Sequence, residues 1–222
     1  MACDKRFIKI NLILARVFFN MGVESDYFRK LNEKRFYMSN FVLVRGSALT
    51  LRLCHRISED LDFFTFYKEN FNINKLREIL TPFSEKEIVN ISDEQIDIFL
   101  DGVKVTFFNA RWNFLKPKEI SNFNVASLKD IAVMKINTLF LRAKYRDYYD
   151  LYFLSQYFTL NELYEFSRNI LQGINKKLFI AALLFIDDIY DEDIEYLKPA
   201  KKVSLEDIRK HFETKIKKEF HL

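Results

Sequence analysis

Two acidic residues have the spacing of a metal site. Asp60 and Asp62 flank Leu61, and residues i and i+2 of a β-strand project from the same face. The surrounding segment is strongly apolar, so two adjacent carboxylates there repel each other and are costly to desolvate unless cations lie between them. A pair of Mg²⁺ ions would relieve this repulsion and supply two-metal phosphoryl chemistry. An isolated Asp-x-Asp, by contrast, is usually an ordinary strand edge.

A Gly-Ser pair upstream supplies the elements of a phosphate site. Gly46 and Ser47 lie where a predicted strand at 41–44 gives way to a predicted short helix. Backbone N–H groups and the helix dipole favour a phosphate at such a turn, and the serine hydroxyl can donate to a phosphate oxygen. Asp60 follows Ser47 by 13 positions, which leaves room for one short helix and a tight connection. The combination is more selective than either motif alone.

A second group of candidates lies downstream, on predicted helices. Lys135 stands among apolar residues, and Arg142 returns to the same helix face two turns later. A basic stripe of this kind can meet a triphosphate and compensate the charge that develops during transfer. The two side chains also fit an ordinary amphipathic helix whose basic groups extend to solvent at its edge. The residues alone leave both interpretations open.

The predicted elements divide the chain into two halves. Helices are predicted at 6–19, 24–36 and 72–80, and strands at 41–44, 60–66, 87–91, 95–100 and 103–108. Asp101-Gly102 is the strongest hairpin turn. From about residue 121 the pattern is almost wholly helical, with capping-box-like starts at Ser127, Thr159 and Ser204. We therefore expect an α+β protein with a mixed α/β domain at 1–120 and a helical domain at 121–222.

Composition places only broad limits on function. A net charge of +4 over 222 residues does not by itself indicate a polyanionic partner. The longest apolar run, at 178–186, is far too short to span a bilayer, and the N-terminus has no apolar signal core. Cys3 and Cys54 form no CxxC pair. We expect a reduced, cytoplasmic protein with no membrane contact.

The segment from Val44 to Thr65 resembles the signature of the AbiEii-type nucleotidyltransferases, toxins of abortive-infection and toxin–antitoxin systems in the DNA polymerase β superfamily. The family pattern is Gly-Gly-Thr/Ser-Ala-Leu, then His-Arg-x-Ser-x-Asp-Leu-Asp-Phe-Phe, and nearly every element is present. Arg45 replaces the usual first glycine, and Cys54 replaces a common glycine before the histidine. The resemblance implies a polymerase β-like mixed sheet flanked by helices, followed by a C-terminal helical bundle.

A second block of the same family is similar to residues 135–154. Lys135 matches a lysine on an apolar helix, and Asp147 and Asp150 match an acidic pair. The resemblance implies that the lysine binds NTP phosphates and that the distal aspartate is essential. The predicted catalytic residues are Asp60, Asp62, Lys135 and Asp150. The predicted nucleotide-binding residues are Gly46, Ser47, Arg142 and Asp147, and Asp60 and Asp62 are the predicted metal ligands.

The resemblance further implies the reaction and its partners. A nucleotide would pass from an NTP, with Mg²⁺, to a hydroxyl of a tRNA 3′ end or of a protein, and an antitoxin encoded nearby would be the partner. Thr106 holds the inward position of the predicted strand at 103–108, where polymerase β-like enzymes usually carry a third carboxylate. Asp97 and Asp101 are candidates to replace that carboxylate, and their spacing favours neither. Arg45 and Thr106 motivate an alternative, a nucleotide-binding protein without catalysis; another is transfer to an aminoglycoside-like small molecule.

Overall fold

The computed structural model describes residues 30–31, 33–66, 73–120, 123–189 and 193–221. The predicted helix at 6–19 and most of the one at 24–36 lie outside these residues. Within them the chain has a mixed seven-stranded sheet and eight α-helices, which confirms the α+β class. The chain divides into two compact units, Met1–Ser127 and Leu128–Leu222.

The first unit is built around the sheet. Its helices are α1 (Arg35–Met38), α2 (Arg45–Leu53) and α3 (Ile73–Leu80). Its strands are β1 (Phe41–Val44), β2 (Asp60–Thr65), β3 (Lys86–Ile91), β4 (Gln95–Leu100), β5 (Val103–Phe108), β6 (Lys118–Ile120) and β7 (Phe123–Val125). The predictions for β1 to β5 and for α3 are confirmed to within one residue at each end, because each of these segments has a clear local period and a turn signal beside it.

The acidic strand lies in the middle of the sheet. The strand order is β3-β4-β5-β2-β1-β7-β6, and β2 pairs in parallel with β5 and antiparallel with β1. Alternate residues of β2, Leu61 and Phe63, are buried with Val105 and Phe107 of β5. The two phenylalanine rings stack with their centroids 5.6 Å apart. This apolar face holds the sheet together and leaves the intervening residues of β2 on the opposite face.

The sheet extends beyond the point at which the sequence predicts helix. β7 pairs in parallel with β1 and antiparallel with β6, so both short strands belong to the sheet of the first unit. The expectation of helix from residue 121 is therefore wrong at 123–125. Three residues are too few to display a strand period, and only pairing with β1 selects the extended conformation. The division between the units accordingly falls after Ser127, later than the predicted boundary at 120.

The second unit is helical. It contains α4 (Leu128–Arg142), α5 (Tyr145–Leu154), α6 (Leu160–Arg168), α7 (Lys176–Leu184) and α8 (Leu205–Phe220), with short 3-10 turns at Phe185–Asp188 and Glu195–Leu197. Complete capping boxes start α6 and α8, as predicted: Thr159 exchanges hydrogen bonds with Glu162, and Ser204 with Asp207. Across the described ranges, no helix has both the length and the apolar character needed to cross a membrane.

Candidate functional site

Asp60 and Asp62 lie on one face of β2, because they alternate with the buried Leu61. Asp62 is 7% exposed and Asp60 is half-buried. No group of three or more His, Cys, Asp or Glu side chains in the described residues is arranged to hold a metal by itself. Two carboxylates are nevertheless a suitable set for Mg²⁺, which usually keeps several waters and takes its other ligands from substrate phosphates. The donor set fits a cation that arrives with a nucleotide.

A row of polar residues crosses the sheet beside this pair. Asp62 lies opposite Thr106 of β5, and Thr106 lies opposite Asp97 of β4. Directly paired residues of neighbouring strands project from the same face, so these three side chains share the face of Asp60. Thr106 is 7% exposed, and its hydroxyl donates to Asp97 Oδ1 at 2.6 Å. We call these three residues the polar row.

Asp97 is the most heavily hydrogen-bonded member of the polar row. Its Oδ2 accepts from Gln95 Nε2 at 2.7 Å and from Asn90 Nδ2 at 3.3 Å. Partial burial acts to raise the pKa of Asp97, but the hydrogen bonds from Thr106, Gln95 and Asn90, with Lys104 nearby, outweigh it and hold that pKa below its usual range. Asp97 is therefore a stable anion on the same face as the acidic pair.

Asp101, the other candidate for a third carboxylate, has a different environment. Its Oδ1 accepts from the backbone N–H groups of Ser84 and Glu85 at 2.9 and 2.8 Å, and its Oδ2 accepts from Lys30 Nζ at 2.7 Å. These contacts fix the β4–β5 turn against the chain that enters β3. The structure thus separates two aspartates that the sequence could not rank: Asp97 lies in the polar row, and Asp101 stabilises a turn.

Gly46 and Ser47 lie in the first turn of α2, which begins directly after β1. The N-cap residue, Val44, makes no side-chain capping hydrogen bond, so that residue does not satisfy the first-turn N–H groups, which are suited to an anion. Ser47 is buried, and its hydroxyl oxygen has no hydrogen-bond partner in the part of the chain that the structure describes. An unpartnered hydroxyl at a helix N-terminus is suited to donate to a phosphate oxygen.

Two further residues of the motif explain why position 46 is a glycine. A β-carbon at Gly46 would lie 3.1 Å from Arg56 Nη2 and 3.1 Å from Ser58 Oγ, distances that real β-carbons rarely show. Arg56 and Ser58 are both buried, and Arg56 Nη1 donates to the carbonyl oxygen of Ile57 at 2.7 Å. Arg56 and Ser58 therefore pack directly against the backbone of this turn. The sequence predictions did not select them, although the motif contains both.

Arg45 brings a cation to the acidic pair. Its Nη1 lies 3.2 Å from Asp62 Oδ1, and its guanidinium carbon lies 4.9 Å from the centroid of the Phe64 ring. Its backbone has φ of 57°, the left-handed region that costs a residue with a β-carbon about 1–2 kcal/mol. The ion pair and the cation–π contact offset this strain. Half of the side chain is exposed.

The four candidate residues of the second unit form one cluster. Lys135 Nζ of α4 lies 2.9 Å from Asp147 Oδ1 and 2.6 Å from Asp150 Oδ2 of α5. The side chains are 6%, 0% and 0% exposed. Arg142 Nε lies 3.7 Å from Asp147 Oδ2, and that side chain is half exposed. Lys135 is thus a buried ion-pair partner, and the interpretation that it extends to solvent at a helix edge is wrong for this residue.

Lys135 and Asp147 have hydrogen-bonding capacity that the described residues do not use. An ammonium group has three donors, and the two aspartates take two of those of Lys135. Within the described residues, Asp147 Oδ2 accepts no hydrogen bond, although it is buried. Two carboxylates and two cations make the cluster neutral overall, which limits the cost of burying it.

Comparisons with known proteins agree with this architecture. Residues 29–219 match the sequence model of the family described as Nucleotidyl transferase AbiEii toxin, Type IV TA system. The protein aq_aa25 of Aquifex aeolicus (strain VF5) is 30% identical over 184 residues, which cover 81% of this chain and 87% of that protein.

Two solved structures share the fold. A putative nucleotidyltransferase from H. pylori gives a TM-score of 0.52 at 17% identity and covers 98% of both chains. MenT4, a nucleotidyltransferase toxin from Mycobacterium tuberculosis H37Rv, gives a TM-score of 0.54 at 12% identity and covers 91% of this chain and 88% of its own.

Proposed function

This chain belongs to the AbiEii family of nucleotidyltransferase toxins, and we propose that it transfers a nucleotide from an NTP to an acceptor hydroxyl with Mg²⁺. The observation that carries the proposal is the acidic pair, Asp60 and Asp62, on one face of a central strand. The sheet also carries α2, whose first turn contains Gly46 and Ser47. A cation site and a phosphate site in one compact unit are what nucleotide transfer requires.

The first turn of α2 would receive the triphosphate. Its backbone N–H groups would donate to phosphate oxygens, and the unpartnered hydroxyl of Ser47 would add another donor. Gly46 allows the buried Arg56 to lie directly beneath the turn. This positive group, beside the helix dipole, supports an anion at the same place.

Asp60 and Asp62 would hold Mg²⁺. The ion would neutralise charge on the phosphates and hold them for attack. The acceptor oxygen would form a bond to the α-phosphorus as the bond to pyrophosphate breaks, and the hydroxyl proton would pass to solvent. The charge that the protein must balance lies mainly on the phosphate oxygens.

For the second unit we propose that Lys135 gives its remaining donor to a phosphate oxygen of the nucleotide. Asp150 and Asp147 would fix the ammonium in one position, at 2.6 and 2.9 Å. Arg142, half exposed and near Asp147, would add a second cation for the nucleotide. In this arrangement Asp150 is essential because it orders the lysine.

Membership of a toxin–antitoxin family implies an antitoxin as partner and an NTP as substrate. We propose a tRNA 3′ end or a protein side-chain hydroxyl as the acceptor, and the cytoplasm, where NTPs and both acceptors occur, as the site of action. An antitoxin encoded next to this chain would restrain the transfer.

The test is label transfer from each α-labelled NTP, with Mg²⁺, to total tRNA and separately to cellular protein. Asp60→Asn and Asp62→Asn should each lower transfer by on the order of 100-fold or more, because each change removes a ligand of the Mg²⁺ that would neutralise the phosphates. Asp93→Asn, an exposed acid in the β3–β4 turn, is the matched control and should transfer normally. Undiminished transfer by the Asp60 and Asp62 variants would refute the proposal.

One observation favours a second function. Arg45 already contacts Asp62 at 3.2 Å, as expected of a chain that binds nucleotides without transferring them. Calorimetry with each NTP separates the two functions, since binding without transfer to tRNA, protein or an aminoglycoside hydroxyl would favour the second.

A further inference from the structure

In the polar row, the hydroxyl hydrogen of Thr106 already takes part in a hydrogen bond. Thr106 donates to Asp97 Oδ1 at 2.6 Å, a short distance typical of a charge-assisted O–H···O⁻ bond. A threonine hydroxyl has one hydrogen and two lone pairs. Toward every other neighbour, therefore, the Thr106 oxygen can act only as an acceptor.

The neighbour of Thr106 on the other side is also an acceptor. Asp62 lies directly opposite Thr106 in the parallel β2–β5 pair, and neighbouring strands are about 4.8 Å apart. A carboxylate and an acceptor hydroxyl oxygen placed side by side suit a cation, or a water bound to one, because both oxygens can face the positive charge. Thr106 thus adds a neutral oxygen to the acidic pair.

Asp97 cannot serve the same cation directly. It lies two strands from Asp62, about 10 Å away at the usual strand spacing. In agreement with this separation, no cluster of three metal-binding side chains occurs in the described residues. Asp97 is therefore not a direct ligand of that cation, and its contact with the acidic side of the polar row is made through Thr106.

The other contacts of Asp97 fix its orientation. Gln95 and Asn90 donate to Oδ2, at 2.7 and 3.3 Å, and leave Oδ1 to Thr106. The carboxylate is thereby held at both oxygens, so the threonine hydrogen has one stable direction. An anion held in this way orients its partner without leaving its place.

We infer that Asp97 is a positioning residue, which turns the lone pairs of Thr106 toward a divalent cation at Asp62. The inference rests on the proposed function for the presence of that cation. In this chain the hydroxyl of Thr106 would stand in the cation site where a third carboxylate is usual. The carboxylate of Asp97 lies on the next strand and accepts the hydrogen bond of that hydroxyl. In the sequence alone, Thr106 marks the place of a missing third carboxylate, and the spacing favours neither Asp97 nor Asp101 as its replacement.

The experiment measures Mn²⁺ binding by electron paramagnetic resonance, with and without ATP. The variants are Thr106→Val, Thr106→Ser, Asp97→Ala and the double variant Asp97→Ala/Thr106→Val. Loss of a partner that orients a metal ligand typically weakens metal affinity about 10–100-fold, so Thr106→Val and Asp97→Ala should each weaken Mn²⁺ binding to that extent. Thr106→Ser, which keeps the hydroxyl, should bind like the unchanged chain.

The double variant tests whether Asp97 acts through Thr106. If it does, the double variant binds Mn²⁺ no more weakly than Thr106→Val alone, whereas independent effects would add. Gln95→Ala removes a donor to Asp97 Oδ2 and leaves the Thr106 hydrogen bond, so its effect should be smaller. Urea unfolding of every variant checks that the first unit is intact.

The outcomes separate the two proposals. Mn²⁺ binding that depends on Thr106 and Asp97 in the expected pattern, but without nucleotide transfer, would overturn the proposed function and leave this inference standing. Additive losses, unchanged affinity in Asp97→Ala, or no Mn²⁺ binding by the unchanged chain even with ATP would overturn the inference.

Discussion

Replacing Lys135 by methionine tests the buried cluster most directly. Lys135→Met keeps the length and the apolar part of the side chain and removes the ammonium. Asp147 and Asp150, both fully buried, then lose the cation that lies 2.9 and 2.6 Å from them. Arg142 is half exposed and 3.7 Å from Asp147, so it compensates only part of the loss.

The expected cost is large. Removing one partner of a buried ion pair destabilises a protein by about 3–5 kcal/mol, because the remaining charge is stranded. With a urea dependence of about 2 kcal/mol per M for a unit of this size, the unfolding midpoint should fall by about 2 M.

Asp150→Asn gives the graded comparison. The amide oxygen can still accept from Lys135, and the pair with Asp147 at 2.9 Å persists. The loss should therefore be near the value of one hydrogen bond to a charged group, about 1.5–3 kcal/mol. The triple variant Lys135→Met/Asp147→Asn/Asp150→Asn leaves only the half-exposed Arg142 charged. It strands no buried charge and should recover much of the stability lost in Lys135→Met.

The assay is urea unfolding followed by far-ultraviolet circular dichroism, with nucleotide transfer measured on the same preparations. The triple variant separates folding from chemistry, since it should be folded and inactive if the buried cluster serves nucleotide transfer. A Lys135→Met midpoint within about 0.5 M of the unchanged chain would show that the stranded carboxylates cost little, and would refute the reasoning from burial.

Two further changes test charges in the two units. Arg45→Gly removes the guanidinium from Asp62 and relieves a left-handed backbone. Mn²⁺ binding should therefore tighten several-fold. Stability should change by less than about 1 kcal/mol, because the relief of strain offsets the loss of a part-exposed ion pair. Unchanged Mn²⁺ affinity, measured by paramagnetic resonance, would contradict this. Burial, followed by the charge of Lys215, holds the pKa of His211 below its ordinary value of 6.5, so the unfolded chain binds more protons and stability should fall as pH drops below 6.5. In His211→Gln the urea midpoint should not show this fall between pH 7.5 and 5.5. If the midpoints of the variant and the unchanged chain depend equally on pH, the assignment to His211 is wrong.

Features governed by neighbouring residues were predictable from the sequence. The strand period places Asp60 and Asp62 on one face. The capping boxes at Thr159 and Ser204 require only a residue three positions later. The Asp101-Gly102 turn likewise follows from the preference of its two positions for positive φ. Such patterns are visible in sequence because all their interactions lie within a few residues.

Features governed by strand register and burial needed the tertiary structure. Thr106 lies between Asp62 and Asp97 only because β5 pairs with both β2 and β4 in one particular register, and a shift of one residue would move each side chain to the other face. Lys135 is buried against α5 because two helices pack there, which a helical period cannot reveal. The sequence determined which residues could bind a cation and a phosphate; long-range pairing decided which of them lie together.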